Sequence, residues 1–389
     1  MIPLLVPEIN GNEWKYVKNC LDTGWISSAG SYVNKFEEMI ADYVGAKYGI
    51  ACMNGTVGLH IAQQLAGINS DDHVIVPNIT FVATLNSVKY IGATPILIDV
   101  NPHDWQMDLD LLDKYLTENT YYKADEKGSH YYLKSTSKRV KAILPVHVLG
   151  NIGNIDKLQK IALKFKLEII EDSTEALGST FKEKHAGTFG KFGVFSFNGN
   201  KIISTGGGGV IVTNDENLAK KAKHITTQAK VSQLEYIHDE IGYNYRMVNI
   251  LAAIGVAQME EFPFLLTKKH EIDAFYRFEL KNIGDIEFQQ VSKDVKSNCW
   301  LFTFKTKKMR ELLLYLNDNG IQSRPFWKPM NQLVMFENDI YVQKNDNSSK
   351  LYESCISIPS SSGLKDIEMK KVVSVIKKFY TSVEDIKNN

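Results

Sequence analysis

Cysteine is scarce in this chain of 389 residues, and its four copies, Cys20, Cys52, Cys299 and Cys355, stand far apart with no CxxC pair. That spacing predicts neither a disulfide framework nor a zinc site, and no metal is expected; buried, reduced thiols are the reading instead. Net charge is missing too. The 45 basic residues balance 45 acidic ones and form no basic stripe, so a nucleic-acid partner is not expected. No apolar run approaches the roughly 18 residues of a membrane span. The opening MIPLLVPEINGNEWKYV has no basic leader ahead of an apolar segment, so the chain reads as cytoplasmic, with no membrane partner.

What is present is length and alternation. The chain is long enough for one large core and a smaller second lobe. From Tyr48 to about Thr213, short apolar runs (YGIACM, HVIVP, TPILIDV, VKAILPVHV, LEIIED, GVFSF, GVIVT) alternate with helical patterns such as VGLHIAQQLAG and FVATLNSVKYIGA. Runs buried on both faces and joined by helices predict an α/β fold with a mainly parallel sheet between helical layers. Two helical patterns, NEWKYVKNCLDT and SYVNKFEEMIADYV, precede it as an N-terminal helical segment over 1–47. The large domain is placed at 1–262. A small α+β domain at 263–389 takes NCWLFTF and IQSRPF as strands and EMKKVVSVIKKFY as a closing helix. The polar, Tyr-rich stretch from Glu118 to Lys138 reads as an inserted loop or hairpin.

The chemistry concentrates at strand ends, where doubly wound sheets collect functional groups. LEIIEDSTEALGS ends a buried strand on Glu171 and Asp172. Asp172 can cap the following turn, or it can stay ionised in a dry pocket and hold a pyridinium nitrogen. Lys201 follows 29 residues later, with no acidic residue between Asn198 and Thr205. It is either a solvated turn residue or a desolvated amine able to form a Schiff base. Four glycines, Gly206 to Gly209, come after the lysine, the reverse of a phosphate-binding P-loop, and a strand follows them instead of a helix. They fit a tight turn, or a backbone passing close to a planar ring.

A better phosphate seat is CMNGTVGLH, where Asn54, Gly55 and Thr56 stand between a strand and a helix. An ordinary helix cap is the alternative. Ser196 can add a hydroxyl to the same anion. Phe81 could stack on an aromatic ring or simply fill core, and His147 in LPVHVLG lies at another strand end, structural or functional.

Taken in order, NGTVGLH, PNITFVAT, GATPILIDV, PVHVLG, EDSTEALGS, FSFNGNKIISTGGGGVIVT and GYNYRMVNILAAIGVAQ resemble the pyridoxal-phosphate-dependent nucleotide-sugar aminotransferases of the DegT/StrS type. The likeness runs from about residue 8 to 335. It implies the fold-type I aminotransferase architecture and pyridoxal 5'-phosphate as cofactor. Lys201 would be the covalent anchor and acid–base group, Asp172 the partner of the pyridine nitrogen, and Gly55, Thr56 and Ser196 the phosphate ligands, with Phe81 stacked on the ring. Asn244, in GYNYRM, matches an asparagine that such proteins contribute to the partner subunit's phosphate, which implies a homodimer with shared active sites.

Two departures stand out. Glu175 occupies a position where Gln or His is usual, beside the cofactor's 3-hydroxyl, and the glycine run lacks the usual glutamate. The all-glycine run, with GNEWKYVKNCLDTGWISSAG, is most similar to the LegC-like subgroup. Members of that subgroup aminate UDP-4-keto-6-deoxy-N-acetylhexosamines in surface-glycan synthesis, and GDP-linked relatives are known. The implied reaction moves an amino group from an amino acid, glutamate by resemblance, to a C4 ketone. Sugar dehydration in this family goes with His at the lysine position, against Lys201, and a noncatalytic sensor of the same fold is the remaining alternative. Substrate candidates are Trp25, Ser27, Ser28, His147, Asn198 and Arg324, the last for a diphosphate.

Overall fold

A computed structural model of the protein describes residues 1–125, 128–232 and 234–388. Helices α1 (Glu13–Thr23) and α2 (Ser31–Val44) lead into the sheet. Its strands and crossover helices follow as β1 (Tyr48–Cys52), α3 (Gly55–Leu65), β2 (Asp72–Pro77), α4 (Ala83–Tyr90), β3 (Thr94–Ile98), α5 (Leu109–Asn119), β4 (Thr120–Asp125), β5 (Gly128–Leu133), β6 (Arg139–Ile143), α6 (Ile155–Phe165) and β7 (Glu168–Asp172). A short pair, β8 (Thr180–Phe181) and β9 (Lys184–His185), precedes β10 (Phe192–Ser196), β11 (Gly209–Thr213), α7 (Glu216–Thr226) and the long α8 (Asn249–Leu280). The remainder is β12 (Glu287–Phe288), β13 (Val295–Lys296), β14 (Thr303–Lys305), α9 (Met309–Asp318), β15 (Arg324–Pro325), β16 (Ile340–Val342), α10 (Asn347–Ser354), β17 (Cys355–Ser357) and α11 (Asp366–Asn388).

Among the described residues the main sheet runs β1-β11-β10-β7-β6-β2-β3-β16. It is parallel from β10 to β16, and β11 enters antiparallel between β1 and β10. The expected mainly parallel sheet is thus present, with β11 running against its neighbours. Both faces are covered because the strands are apolar on both. Val210 and Val212 pack with α2 and α8, whereas Ile211 between them packs with α3 and α7. This is the two-residue period of a strand working on two cores at once. Helices begin where side chains cap free N–H groups: Asn54, Asp108, Asn154 and Asp215 each accept from the first turn of the helix that follows.

The Tyr-rich stretch forms the β4–β5 hairpin, joined to β6 through Tyr132 and Arg139; residues 126 and 127 at its centre lie outside the described residues.

The expected domain boundary falls within a helix. Residue 262 lies inside α8, not in a linker: Phe262 and Leu265 belong to the large core, and Ile272, Tyr276 and Leu280 to the small one. One rigid helix therefore serves both lobes. It is apolar enough by composition to pass for a membrane span, and burial against both lobes accounts for that. The termini also cross over. Ile2 pairs with Ile321 in the small lobe, and β16 from the C-terminal part completes the edge of the large sheet beside β3. The strands expected at NCWLFTF and IQSRPF are short, with only β14 and β15 pairing beside β17. Residues 298–302 instead cross over the large domain as irregular chain.

Candidate active site

The loops after β1, β2, β6, β7 and β10 converge on a cavity of about 300 Å³ at the carboxyl ends of the parallel strands. It brings together Gly55, Thr56, Phe81, Asp172, Glu175, Ser196, Asn198 and Lys201, eight of the expected residues. Separations in sequence of up to about 150 residues are closed by the sheet order alone.

Asp172 is buried at the end of β7. Its Oδ2 accepts a hydrogen bond from the Thr84 hydroxyl at 2.7 Å and its Oδ1 accepts from the Thr174 N–H at 3.2 Å. The turn-capping and pocket readings therefore coexist in one carboxylate. Its neighbour Glu171 points to the opposite face, as strand alternation requires. There it accepts from the N–H groups of Gly187, Phe189 and Gly190 and lies 2.9 Å from His147 Nε2. His147 is consequently a buried structural partner of Glu171 and does not line this cavity.

Lys201 extends into the cavity from the loop after β10, where its N–H donates to the Asn198 carbonyl at 3.0 Å. Its Nζ lies 3.9 Å from Glu175 Oε1 and 4.3 Å from the centre of the Trp300 ring. Burial holds the amine below the usual lysine range, against the opposing pull of Glu175 and Asp172. Burial likewise pushes the Glu175 carboxyl up to about 7, with Lys201 pulling the other way. Glu175 Oε2 also accepts from the Leu149 N–H at 2.8 Å. A desolvated amine is what Schiff-base chemistry needs. No residue from Asn198 to Thr205 is acidic, yet a carboxyl group accompanies the amine in space, because Glu175 arrives from another strand end.

At the start of α3 the Asn54 side chain accepts from the Val57 N–H at 3.0 Å. Gly55 and Thr56, in the first turn of α3 ahead of the capped Val57 N–H, line the cavity beside Ser196. A Cβ on Gly55 would stand 2.9 Å from Thr174 Cγ2 and 3.0 Å from Ser196 Cβ, so only glycine lets these three loops meet. The glycine run does not line the cavity. A Cβ on Gly209 would lie 2.6 Å from the Asn54 carbonyl carbon, so this glycine lets β11 pass close to the turn that opens α3.

The other expected contacts lie elsewhere on this chain. The carbonyls of Trp25, Ser27 and Ser28 accept from Asn249 and Arg246, tying the linker to the start of α8. Arg324 is exposed on β15, and Asn244 is exposed in the bridge with Thr227; neither lines the cavity. Three residues that do were not singled out from the sequence. Thr84 holds Asp172, and Trp300 and Trp327, stacked at 6.3 Å and 15°, form one wall. Thr84 had a local signal in PNITFVAT, whereas Trp300 lay in an apparent strand.

This donor set fits pyridoxal phosphate. A largely enclosed lysine, a buried carboxylate fixed by two donors, the Phe81 ring and the N-terminus of α3 occur in one cavity. Comparison with known proteins agrees. The sequence pattern of the DegT/DnrJ/EryC1/StrS aminotransferase family matches residues 7–377. The chain is similar to a GDP-perosamine synthase of Escherichia coli O157:H7, at 37% identity over 98% of this chain and 99% of that one. It is similar to another from Caulobacter vibrioides, at 35% over 96% and 97%. Among solved structures it resembles a DegT DnrJ EryC1 StrS aminotransferase from Brucella abortus, with TM-score 0.85, 25% identity and 95% of each chain covered.

Proposed function

We propose, on the premise that this chain belongs to the DegT/DnrJ/EryC1/StrS aminotransferase family and is a pyridoxal-phosphate-dependent sugar aminotransferase, that it aminates C4 of a nucleotide-linked 4-keto-6-deoxy sugar. The amino donor is an amino acid, glutamate first. The observation that carries this reading is Lys201, its side chain 14% exposed, lining the same cavity as the buried Asp172, on a chain whose whole length parallels a GDP-perosamine synthase.

When bound, pyridoxal phosphate supplies an electron sink for the carbon that gains or loses the amine. The chain's residues do the rest. Lys201 would hold the cofactor covalently, and its free Nζ would move a proton to and from the reacting carbon. Asp172, kept in place by Thr84 and Thr174, holds the proton on the pyridine nitrogen. Gly55, Thr56 and Ser196 would seat the phosphate, Phe81 would cover the ring and Glu175, beside Lys201, would serve the ring hydroxyl. Asn244 completes the phosphate site of a second subunit. Exposed Tyr236 and Ile241 just before it supply apolar surface for that homodimer. The unpaired cysteines suit a reducing cytoplasm.

For the nucleotide, GDP comes first because the perosamine synthases match along their whole length. A UDP-linked 2-acetamido sugar is the second reading, favoured by the all-glycine run at Gly206 to Gly209. Incubation with glutamate and a panel of GDP-, UDP- and dTDP-4-keto-6-deoxy sugars, with the amino sugar detected by mass, tests both. Product from none of them, by protein whose cofactor absorbance is trapped by borohydride, would reject the sugar assignment.

A further inference from the structure

Trp300 reaches the active site from outside the set of strand ends that build it. It belongs to the irregular 298–302 segment that leads into the small lobe, and it is 3% exposed. Its indole N–H donates to the Asn200 carbonyl at 2.7 Å, the residue just before Lys201. Its ring centre lies 4.3 Å from Lys201 Nζ. Its own backbone is fixed as well: the Trp300 N–H donates to Asn298 Oδ1 at 3.0 Å. Asn298 in turn donates to the Glu175 and Leu177 carbonyls at 2.7 and 2.8 Å. The indole is thus held at both ends, and one of its anchors is the backbone of the residue that faces Lys201 with a carboxyl.

We propose that Trp300 is a positioning residue for Lys201, its ring face carrying the amine and its indole N–H pinning the adjoining backbone, so that the small-lobe connection sets where the reacting amine stands. An ammonium over an indole face is favoured electrostatically, and more so when desolvated. The charged groups around the amine are Glu175 and Asp172, both from the large domain. Trp300 is the neutral third partner, and it is the one attached to the other lobe. Trp327 stacks against it. The side chain that must swing between bound and free states therefore has a resting place that a carboxylate alone, at 3.9 Å, does not define.

The inference rests on the assignment of Lys201 as the reacting amine, and its test separates the two. In cofactor-free protein, labelling of the Lys201 peptide by an amine-acylating reagent, followed by mass spectrometry against pH, reads the protonation midpoint of this one lysine. Trp300→Leu should lower that midpoint by about half to one pH unit, because the ammonium loses the ring. Trp300→Phe, which keeps a ring face and loses the N–H, should lower it by less than about 0.3. Trp327→Leu should leave it in place. In the holoenzyme, Trp300→Leu should lower kcat about tenfold or more with KM for the sugar within about threefold, as expected for a misplaced acid–base group, and Trp300→Phe should lie between. A wild-type midpoint in Trp300→Leu, or an equal shift in Trp327→Leu, overturns the proposal. Should Trp300→Leu not fold, Trp300→Phe with unchanged kcat and Trp300→His with an unchanged midpoint overturn it equally. Failure of the wild type to aminate any sugar would sink the functional reading while leaving the labelling result intact.

Discussion

Glu175 and Lys201 approach to 3.9 Å in a cavity screened from water, and burial biases both toward their neutral forms. Because Glu175 is raised to about 7, it is protonated below that pH and ionised above it. Once ionised, it favours the ammonium form of Lys201. Glu175→Gln removes that pull, so the Lys201 amine should lose its proton at lower pH. The acidic limb of the kcat–pH profile should then move down, measured beside the wild type; an unmoved limb would show that Glu175 does not address the amine. Lys201→Ala should lose at least about 10⁴-fold in turnover, the upper end of what a positioned acid–base group supplies, and release cofactor on dialysis. Asp172→Asn should lose about two to three orders of magnitude, as for other preorganised charge partners. Full activity in that variant would reduce Asp172 to its turn-capping bond with Thr174.

Helix α8 carries a second buried lysine that the active site does not use. Lys269, 1% exposed, donates to the Ser360 carbonyl at the point where α8 passes from the large core to the small one. Burial lowers it from 10.5 to about 7. The sign follows from proton counts. Between about pH 7 and 10 the unfolded chain holds this proton and the folded one does not, so this group makes stability rise with pH across that window. At about 1.4 kcal/mol per pH unit the effect is of order a few kcal/mol. Lys269→Met should flatten the rise, and denaturant melts of both proteins at pH 7 and 9.5 would reveal it; parallel curves would mean the amine keeps its proton. At the opposite end of the site, Asn54→Ala should cost about 1 kcal/mol through the lost α3 cap, together with weaker cofactor retention. A cofactor affinity equal to wild type would place the phosphate elsewhere.

For the whole molecule, the decisive question is whether one chain makes a complete site. Asn244 is exposed and away from its own cavity, and Tyr236 and Ile241 are 91% and 83% exposed beside it. In a homodimer these become interface. The double change Tyr236→Asp and Ile241→Asp should give monomers by sedimentation with little activity, and a fully active dimer would move the interface off this surface.

Much of this architecture was legible in the chain. Strand and helix alternation, and the placing of the α3 turn, Asp172 and Lys201 at strand ends around one cavity, follow from local patterns: apolar runs need burial on two faces, a helix start has unpaired N–H groups, and strand ends are where a parallel sheet opens. Other features were illegible because they depend on where distant segments come to rest. Glu171 and Asp172 are adjacent, yet only strand pairing decides that one binds His147 and the other faces the cavity. The expected boundary at residue 262 falls inside α8, since one continuous helix that packs on two different cores leaves no linker in sequence. The sequence by itself determined which chemical groups stand at the strand ends. Tertiary structure alone decided that Glu175 from one strand end and Trp300 from the small-lobe connection meet Lys201, because burial and electrostatic contact depend on distance in space and not along the chain.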